Sequence, residues 1–177
     1  RNPEPRFLLV GRDFKRKGGA VLLEAFRQVR RKMRNATLVI IGPELQNLPD
    51  GVECRGFLRR ENPAHVEILE EEYRKASVYV LPSLYEPFGI SLLEAMAHGL
   101  PCIGVREFAM PEIIVEGETG LLVERGDAGS LANAMLEIAA SPPMGTEFGI
   151  AGRKRLETQF TWAAVARRMA DAMAVMT

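Results

Sequence analysis

The sequence predicts an α/β fold, a doubly wound and mostly parallel Rossmann-like sheet. Short apolar runs of strand length alternate along the chain with longer segments of helical period. The strongest of the short runs, "ATLVIIG" at residues 36–42, is almost wholly apolar, as a parallel strand covered on both faces should be. No segment repeats at a fixed period and none is of low complexity. At 177 residues the chain fits one domain with a full hydrophobic core.

Taken in order, "RFLLVG" (6–11) reads as a strand ended by glycine. Residues 18–33 carry Val21, Leu22, Ala25, Phe26 and Val29 at helical spacing. After the strand at 36–42, "GVECRGF" (51–57) is a weaker strand. Residues 62–76 form a helix with Asn62 as N-cap and Pro63 in its first position. "SVYVLP" (77–82) is the next strand, followed by a helix from Gly89 to His98 that Gly99 ends. Strands follow at 101–105 and 120–124, and a helix at 128–141 is expected to stop at Pro142 and Pro143. Two C-terminal helices complete the chain, at 145–158 and 161–176.

Composition narrows the function. Lys and Arg number 23, as do Asp and Glu, so net charge gives no reason to expect nucleic acid or membrane as partner. No apolar run approaches the roughly 18 residues of a membrane span, and no signal peptide is present, so a cytoplasmic protein is expected. Cys54 and Cys102 lie in strand-like segments without metal-ligand spacing and are expected to be reduced thiols. The opening "RNPEP" reads as linker, which suggests an excised piece of a longer chain. The basic run at 27–34 could serve a membrane or lipid acceptor, although a helix C-terminus ordinarily collects such charges.

Ligands of such sheets bind beyond the carboxyl ends of the strands. Three loops there carry unusual residues. In the first, Arg12, Lys15, Arg16 and Lys17 precede Gly18 and Gly19, where a helix start could receive an anion and the cations could bind phosphate. A solvated basic loop is the competing reading, and the dinucleotide fingerprint of three spaced glycines is absent. In the second, Glu86 stands before "PFG", and the amides near Phe88, Gly89 and Ile90 open a helix. Glu94 sits about five residues in, roughly 7 Å along the axis, where it could accept two ribose hydroxyl protons. Alternatively Glu86 is a helix-dipole partner and Glu94 an ordinary helix glutamate. The third loop, around Pro111 and Glu112, is a weak signal by itself.

Together "GRDFKRKGG", "LVIIG", "RGFL", "YRKASVYVLPSLYEPFGISLLEAMAHGLP", "PEIIVEGETGLLV" and "FTW" resemble the C-terminal, donor-binding half of the retaining GT-B glycosyltransferases, the glycosyl transferases group 1 family that includes sucrose synthases and bacterial mannosyltransferases. The resemblance runs from about Phe7 to the end. It implies that Arg12 and Lys17 hold the diphosphate of a nucleotide-sugar. By the same resemblance the amides at Phe88, Gly89 and Ile90 take the distal phosphate, and Glu94 grips the ribose. Glu86, the catalytic candidate, contacts the transferred sugar, and backbone near Leu58 borders the base.

It also implies retention at the anomeric carbon, no metal and no other cofactor. The acceptor, a sugar or lipid, would be bound mainly by an absent N-terminal domain. The fragment would then bind donor weakly and transfer nothing, while the full-length enzyme could associate peripherally with membrane. One departure stands out: where relatives often carry a glycine pair before "PEI", this chain has Phe108, Ala109 and Met110, whose bulk would narrow the sugar pocket. A nucleotide-sugar epimerase and a non-catalytic nucleotide-binding module are the alternatives. A phosphorylase would need a lysine for pyridoxal phosphate, and none is singled out. His65 is expected to be exposed, and His98 to complement a helix dipole. The last helix has an apolar face suited to the missing domain or to self-association.

Overall fold

Leu38, Val39, Ile40 and Ile41 offer water no polar face, so this run must be covered on both sides. In the computed structural model, which describes residues 4–174, all four are buried. They belong to a six-stranded sheet of β1 (Arg6–Val10), β2 (Thr37–Ile41), β3 (Val52–Cys54), β4 (Val78–Val80), β5 (Cys102–Val105) and β6 (Gly120–Val123). All neighbours run parallel in the order β3-β2-β1-β4-β5-β6. The α/β doubly wound fold is therefore the one expected. Residues 1–3 of the expected linker, residues 175–176 of the expected last helix, and residue 177 lie outside the described residues.

The helices are α1 (Gly19–Lys32), α2 (Pro63–Lys75), α3 (Ile90–Ala97), α4 (Met110–Ile113), α5 (Ala128–Ala140), α6 (Pro142–Gln159) and α7 (Trp162–Ala174). Right-handed crossovers to either side of β1 send helices to opposite faces. Thus α1 packs on α5, while α2 meets α3 through the stacked Tyr73 and His98 rings. On α1 the buried residues Leu22, Ala25, Phe26 and Val29 repeat at helical spacing, and Phe26 meets Phe7 of β1 edge-on at 6.2 Å. Each such large apolar side chain contributes roughly 1.5–3 kcal/mol by leaving water.

Two expectations are corrected. The helix at 128–141 does stop before Pro142, but the next helix starts at Pro142 rather than at 145: both prolines occupy the first positions of α6, and Ser141 serves both as C-cap of α5 and N-cap of α6. A proline's fixed φ and missing N–H suit a first turn as well as they forbid an interior. His65 is half-buried, and its Nδ1 accepts the Arg59 N–H at 2.9 Å. The expected apolar face of α7 is uncovered: its single buried residue is Ala164, while Trp162, Met169 and Met173 are exposed.

α6 packs on α3, α5, β5 and β6. Gly149 lies so near Gly99 that a β-carbon there would stand 1.9 Å from the Gly99 carbonyl oxygen. Arg155 donates to the carbonyl oxygens of Glu112 at 2.6 Å and Ile113 at 2.9 Å, tying α6 to α4.

Buried Glu72 of α2 joins its helix to two strands. It accepts from Arg6 of β1 and from Arg55, just past β3, each at 2.7 Å. Burial pushes its carboxyl up, but the two guanidinium groups outweigh that and hold it below the usual carboxylate range. A depressed folded-state pKa stabilises above the unfolded value near 4.3 and loses that contribution as pH falls. Glu72→Gln should therefore be less stable than the parent at pH 7, with the gap closing as pH drops below about 4. Urea midpoints of both proteins across pH 3–7 check this; a gap that is constant with pH would exclude an ionic role.

Candidate functional site

Strand order reverses at β1, whose neighbours β2 and β4 lead the chain away in opposite directions. In such sheets the crevice at that reversal is where ligands bind. A cleft of about 490 Å³ opens there, lined by the β1–α1 loop, the β4–α3 loop, Arg60, Ser91 and Glu94. A second groove of about 410 Å³ lies at the opposite edge, between Pro101, α5 and α6. Its one ionisable lining residue, Arg153, is paired with Glu157, so it lacks convergent polar groups.

Three groups meet on one oxygen in the cleft. Glu86 Oε2 lies 2.5 Å from Lys17 Nζ and 3.6 Å from Arg16 Nη1, and accepts the Ser83 hydroxyl at 3.3 Å. Lys17 and Glu86 are both buried. The lysine stem runs over Gly11, where a β-carbon would stand 2.9 Å from Lys17 Cγ. Arg16 also donates to the Tyr85 carbonyl at 3.1 Å, which ties the two loops together.

The expected anion site splits unevenly between the two helix starts. The amides of Lys17, Gly18 and Gly19 bond back to Asp13, Lys15 and Phe14, so they are not turned to a ligand. Gly18 and Gly19 serve close packing there, against the Pro82 carbonyl and the Phe14 ring. At α3 the helix start is different. The amides of Phe88, Gly89, Ile90 and Ser91 donate to no described residue, and Gly89 caps the helix at φ 94°. Orphan amides at the positive end of a helix dipole are what an anion requires.

Glu94 faces the cleft one turn further in. Its Oε2 accepts the Tyr73 hydroxyl at 3.0 Å, and its Oε1 pairs with Arg60. Tyr73 is buried; burial first, then Tyr79 and Glu94, raise its pKa well above the ordinary value, so it stays protonated and a donor. Its ring stacks on His98, C-cap of α3, at 4.8 Å, and His98 Nε2 lies 3.3 Å from Glu70 Oε2. Tyr79 beneath donates to the Val10 carbonyl at 3.2 Å, where β1 enters the cleft.

Not every expected residue is gathered in. Arg12 is exposed and lies over the Phe57 ring at 5.0 Å, so Arg16 is the arginine that joins Lys17. Leu58 packs half-buried against the core and does not line the cleft. Arg60 and Tyr73 went unforeseen. Tyr73 was traceable as the i+4 partner of Leu69 on a buried helix face, whereas Arg60 carried no sequence signal.

Of the bulky trio only Phe108 is exposed, and none of the three lines the cleft. Met110 is fully buried, with its Sδ accepting the Val105 N–H at 3.0 Å, and Ala109 caps α4. Phe108 adopts φ 62°, a left-handed conformation that costs a residue with a β-carbon about 1–2 kcal/mol. Its ring meets Tyr85 edge-on at 5.4 Å.

Among the described residues no three His, Cys, Asp or Glu side chains gather as a metal site would require, and no helix is long and apolar enough to cross a membrane. Both cysteines are unpaired, and burial raises the Cys102 thiol well above its ordinary pKa.

A family model described as glycosyl transferases group 1 matches residues 4–141. The chain belongs to that family. Among group 1 relatives, glycogen synthase of Mycobacterium tuberculosis is 33% identical over 170 residues, 93% of this chain and 41% of the relative. The solved sucrose-phosphate synthase of Thermosynechococcus elongatus is 32% identical, with TM-score 0.78 over 99% of this chain and 46% of that one. The C-terminal domain of a glycosyl transferase group 1 protein from Francisella tularensis shares the fold at 24% identity and TM-score 0.75, covering 90% of this chain and 87% of that domain. The chain spans less than half the length of the curated group 1 relatives it matches.

Proposed function

We propose that the chain is the donor-binding domain of a retaining glycosyltransferase, which moves a hexosyl group from a nucleoside diphosphate sugar to an acceptor. The observation that supports this most is the convergence at one crevice of a buried Lys17–Glu86 pair, four uncommitted amides and Glu94. In this reading Lys17 and Arg16 lie against the diphosphate, and Arg12 joins them on leaving Phe57. Amides at Phe88, Gly89 and Ile90 receive the distal phosphate. Glu94, with Arg60 displaced, accepts two ribose hydroxyls, and backbone at residues 56–58, including Leu58, borders the base.

Glu86 meets the transferred sugar near its anomeric carbon. There the bond to the diphosphate oxygen breaks, a bond to an acceptor hydroxyl oxygen forms on the same face, and the hydroxyl proton passes to the departing diphosphate. Cations and the helix terminus meet the leaving-group charge, without a metal. The acceptor, a sugar or lipid, is bound mainly by an N-terminal domain, so this chain alone binds donor weakly and transfers no sugar. The full-length enzyme is cytoplasmic.

Titration of the 177-residue chain with UDP, GDP, ADP and NAD tests the reading. One nucleoside diphosphate should bind and NAD should not. At a hundredfold excess over Kd the ligand should stabilise the fold by about 2.7 kcal/mol. Glu94→Ala should weaken that binding about tenfold to a hundredfold, since hydrogen bonds to a charged group contribute roughly 1.5–3 kcal/mol. No binding of any diphosphate at millimolar concentration would overturn it.

A further inference from the structure

We propose that Tyr73 is a positioning residue for nucleotide binding: its buried hydroxyl holds the Glu94 carboxylate in the plane that receives the two ribose hydroxyls. The inference rests on the donor-site reading above. It assigns part of the site's selectivity for ribose to a side chain that does not itself meet the ligand.

Glu94 has one partner on each oxygen, and the two differ in kind. Its Oε2 accepts the Tyr73 hydroxyl at 3.0 Å, whereas its Oε1 pairs with Arg60. Tyr73 is 1% exposed, but the Arg60 side chain is 67% exposed. An arginine so well solvated is readily displaced, and a buried tyrosine is not. Glu94 and Arg60 line the cleft and Tyr73 does not, so a ligand can exchange with the guanidinium but not with the phenol.

The phenol is itself fixed. Its ring lies parallel to the His98 imidazole, with centroids 4.8 Å apart and 2° between planes, and the Tyr79 ring stands 6.0 Å away. His98 caps the helix that carries Glu94, and its Nε2 lies 3.3 Å from Glu70 on the helix that carries Tyr73. Donor and acceptor are therefore set by the same α2–α3 contact. Burial keeps the proton on the Tyr73 oxygen, so the bond always points at the carboxylate. A buried tyrosine can satisfy its hydroxyl on backbone, as Tyr79 does on the Val10 carbonyl at 3.2 Å. Tyr73 directs its proton at a cleft carboxylate instead.

A carboxylate accepts about four hydrogen bonds, two on each oxygen. Tyr73 occupies one position on Oε2. Once Arg60 leaves, a position on each oxygen is open, which suits two neighbouring hydroxyls. A glutamate without the tyrosine bond would have to be ordered as the nucleotide binds. Immobilising a rotamer-rich side chain at binding weakens affinity by roughly twofold to tenfold. The Tyr73 bond moves that ordering into the folded chain.

The test compares Kd values of the chain for UDP, GDP and ADP with those for their 2′,3′-dideoxy counterparts. For the base that binds, the parent should prefer the ribose form by about tenfold to a hundredfold. Tyr73→Phe keeps the ring and its stack on His98. It should narrow the preference about threefold to tenfold while leaving the dideoxy Kd within about twofold. Arg60→Ala, which removes the competing cation, should preserve or widen the preference. In a Glu94→Ala background, adding Tyr73→Phe should move neither Kd by more than about twofold. Thermal denaturation verifies that each variant folds. An unchanged preference in Tyr73→Phe would sink the inference alone. So would equal weakening of both nucleotide forms, which a purely structural tyrosine produces. The same narrowing in Arg60→Ala would give the orienting role to the arginine. A parent chain that binds no diphosphate, or binds one without regard to its ribose hydroxyls, would instead remove the donor-site reading, and this inference with it.

Discussion

Lys17→Met is expected to destabilise the chain by about 3–5 kcal/mol, because it strands a buried carboxylate. Glu86 is 5% exposed and Lys17 7%, and their 2.5 Å contact is the closest of the three polar contacts to Glu86 Oε2. Without the ammonium group, the carboxylate keeps the Ser83 hydroxyl and an arginine at 3.6 Å whose own side chain is 36% exposed. That arginine is too solvated to replace the lysine. The double variant Lys17→Met/Glu86→Leu should recover most of the loss, since a buried pair and a well-packed apolar substitute are often near parity. Urea denaturation of the parent, both single variants and the double variant measures the coupling. A single-variant loss below about 1 kcal/mol would mean that the pair behaves as a surface contact.

Gly18→Ala should cost about 3 kcal/mol by a different route. At φ 72° any β-carbon brings left-handed strain of about 1–2 kcal/mol. It would also stand 1.9 Å from the Pro82 carbonyl oxygen, so backbone must move, adding roughly 1–3 kcal/mol of overpacking. For a chain of this length the melting point should fall by roughly 6–12 °C. Gly126→Ala is the control: its φ is 79°, yet nothing lies within 4 Å of the added carbon. It should lose the strain alone. Because Pro82 leads into the Ser83–Glu86 turn, Gly18→Ala should also loosen the Lys17–Glu86 contact and weaken nucleotide binding. Equal losses in the two variants would show that the close approach to Pro82 is relieved freely.

Much of this arrangement was legible before any coordinates. β2 announces itself because a strand buried on both faces has no polar alternation to confuse its reading, and α1 because Leu22, Phe26 and Val29 recur at one helical period. Helix rise and the "PFG" turn put Glu94 about one turn inside α3, but left open whether it faces the cleft. Pairing across long sequence separation was not legible: Lys17 and Glu86 are 69 residues apart, and Arg60 and Glu94 are 34 apart. Nor does order within a basic loop say which arginine turns inward. Arg12 and Arg16 carry the same charge, but Phe57 offers Arg12 a ring to rest on. The prolines at 142–143 satisfied two rules at once, stopping one helix and starting another, and only the chain's next turn decides between them.

The seam between α6 and the rest of the chain bears on how such modules can be exchanged. The family model's match ends at residue 141, although relatives align further, and that end is a tempting place to cut when recombining donor modules between enzymes. A graft ending there would carry all six strands and the cleft. It would leave behind Gly149, which seats against the turn after α3, and Arg155, which holds the last carbonyls of α4. The loop bearing Phe108 would then arrive in its new host without its clasp. The transplantable unit extends through α6, and recombinants joined after Gln159 should melt at a higher temperature than those joined at residue 141.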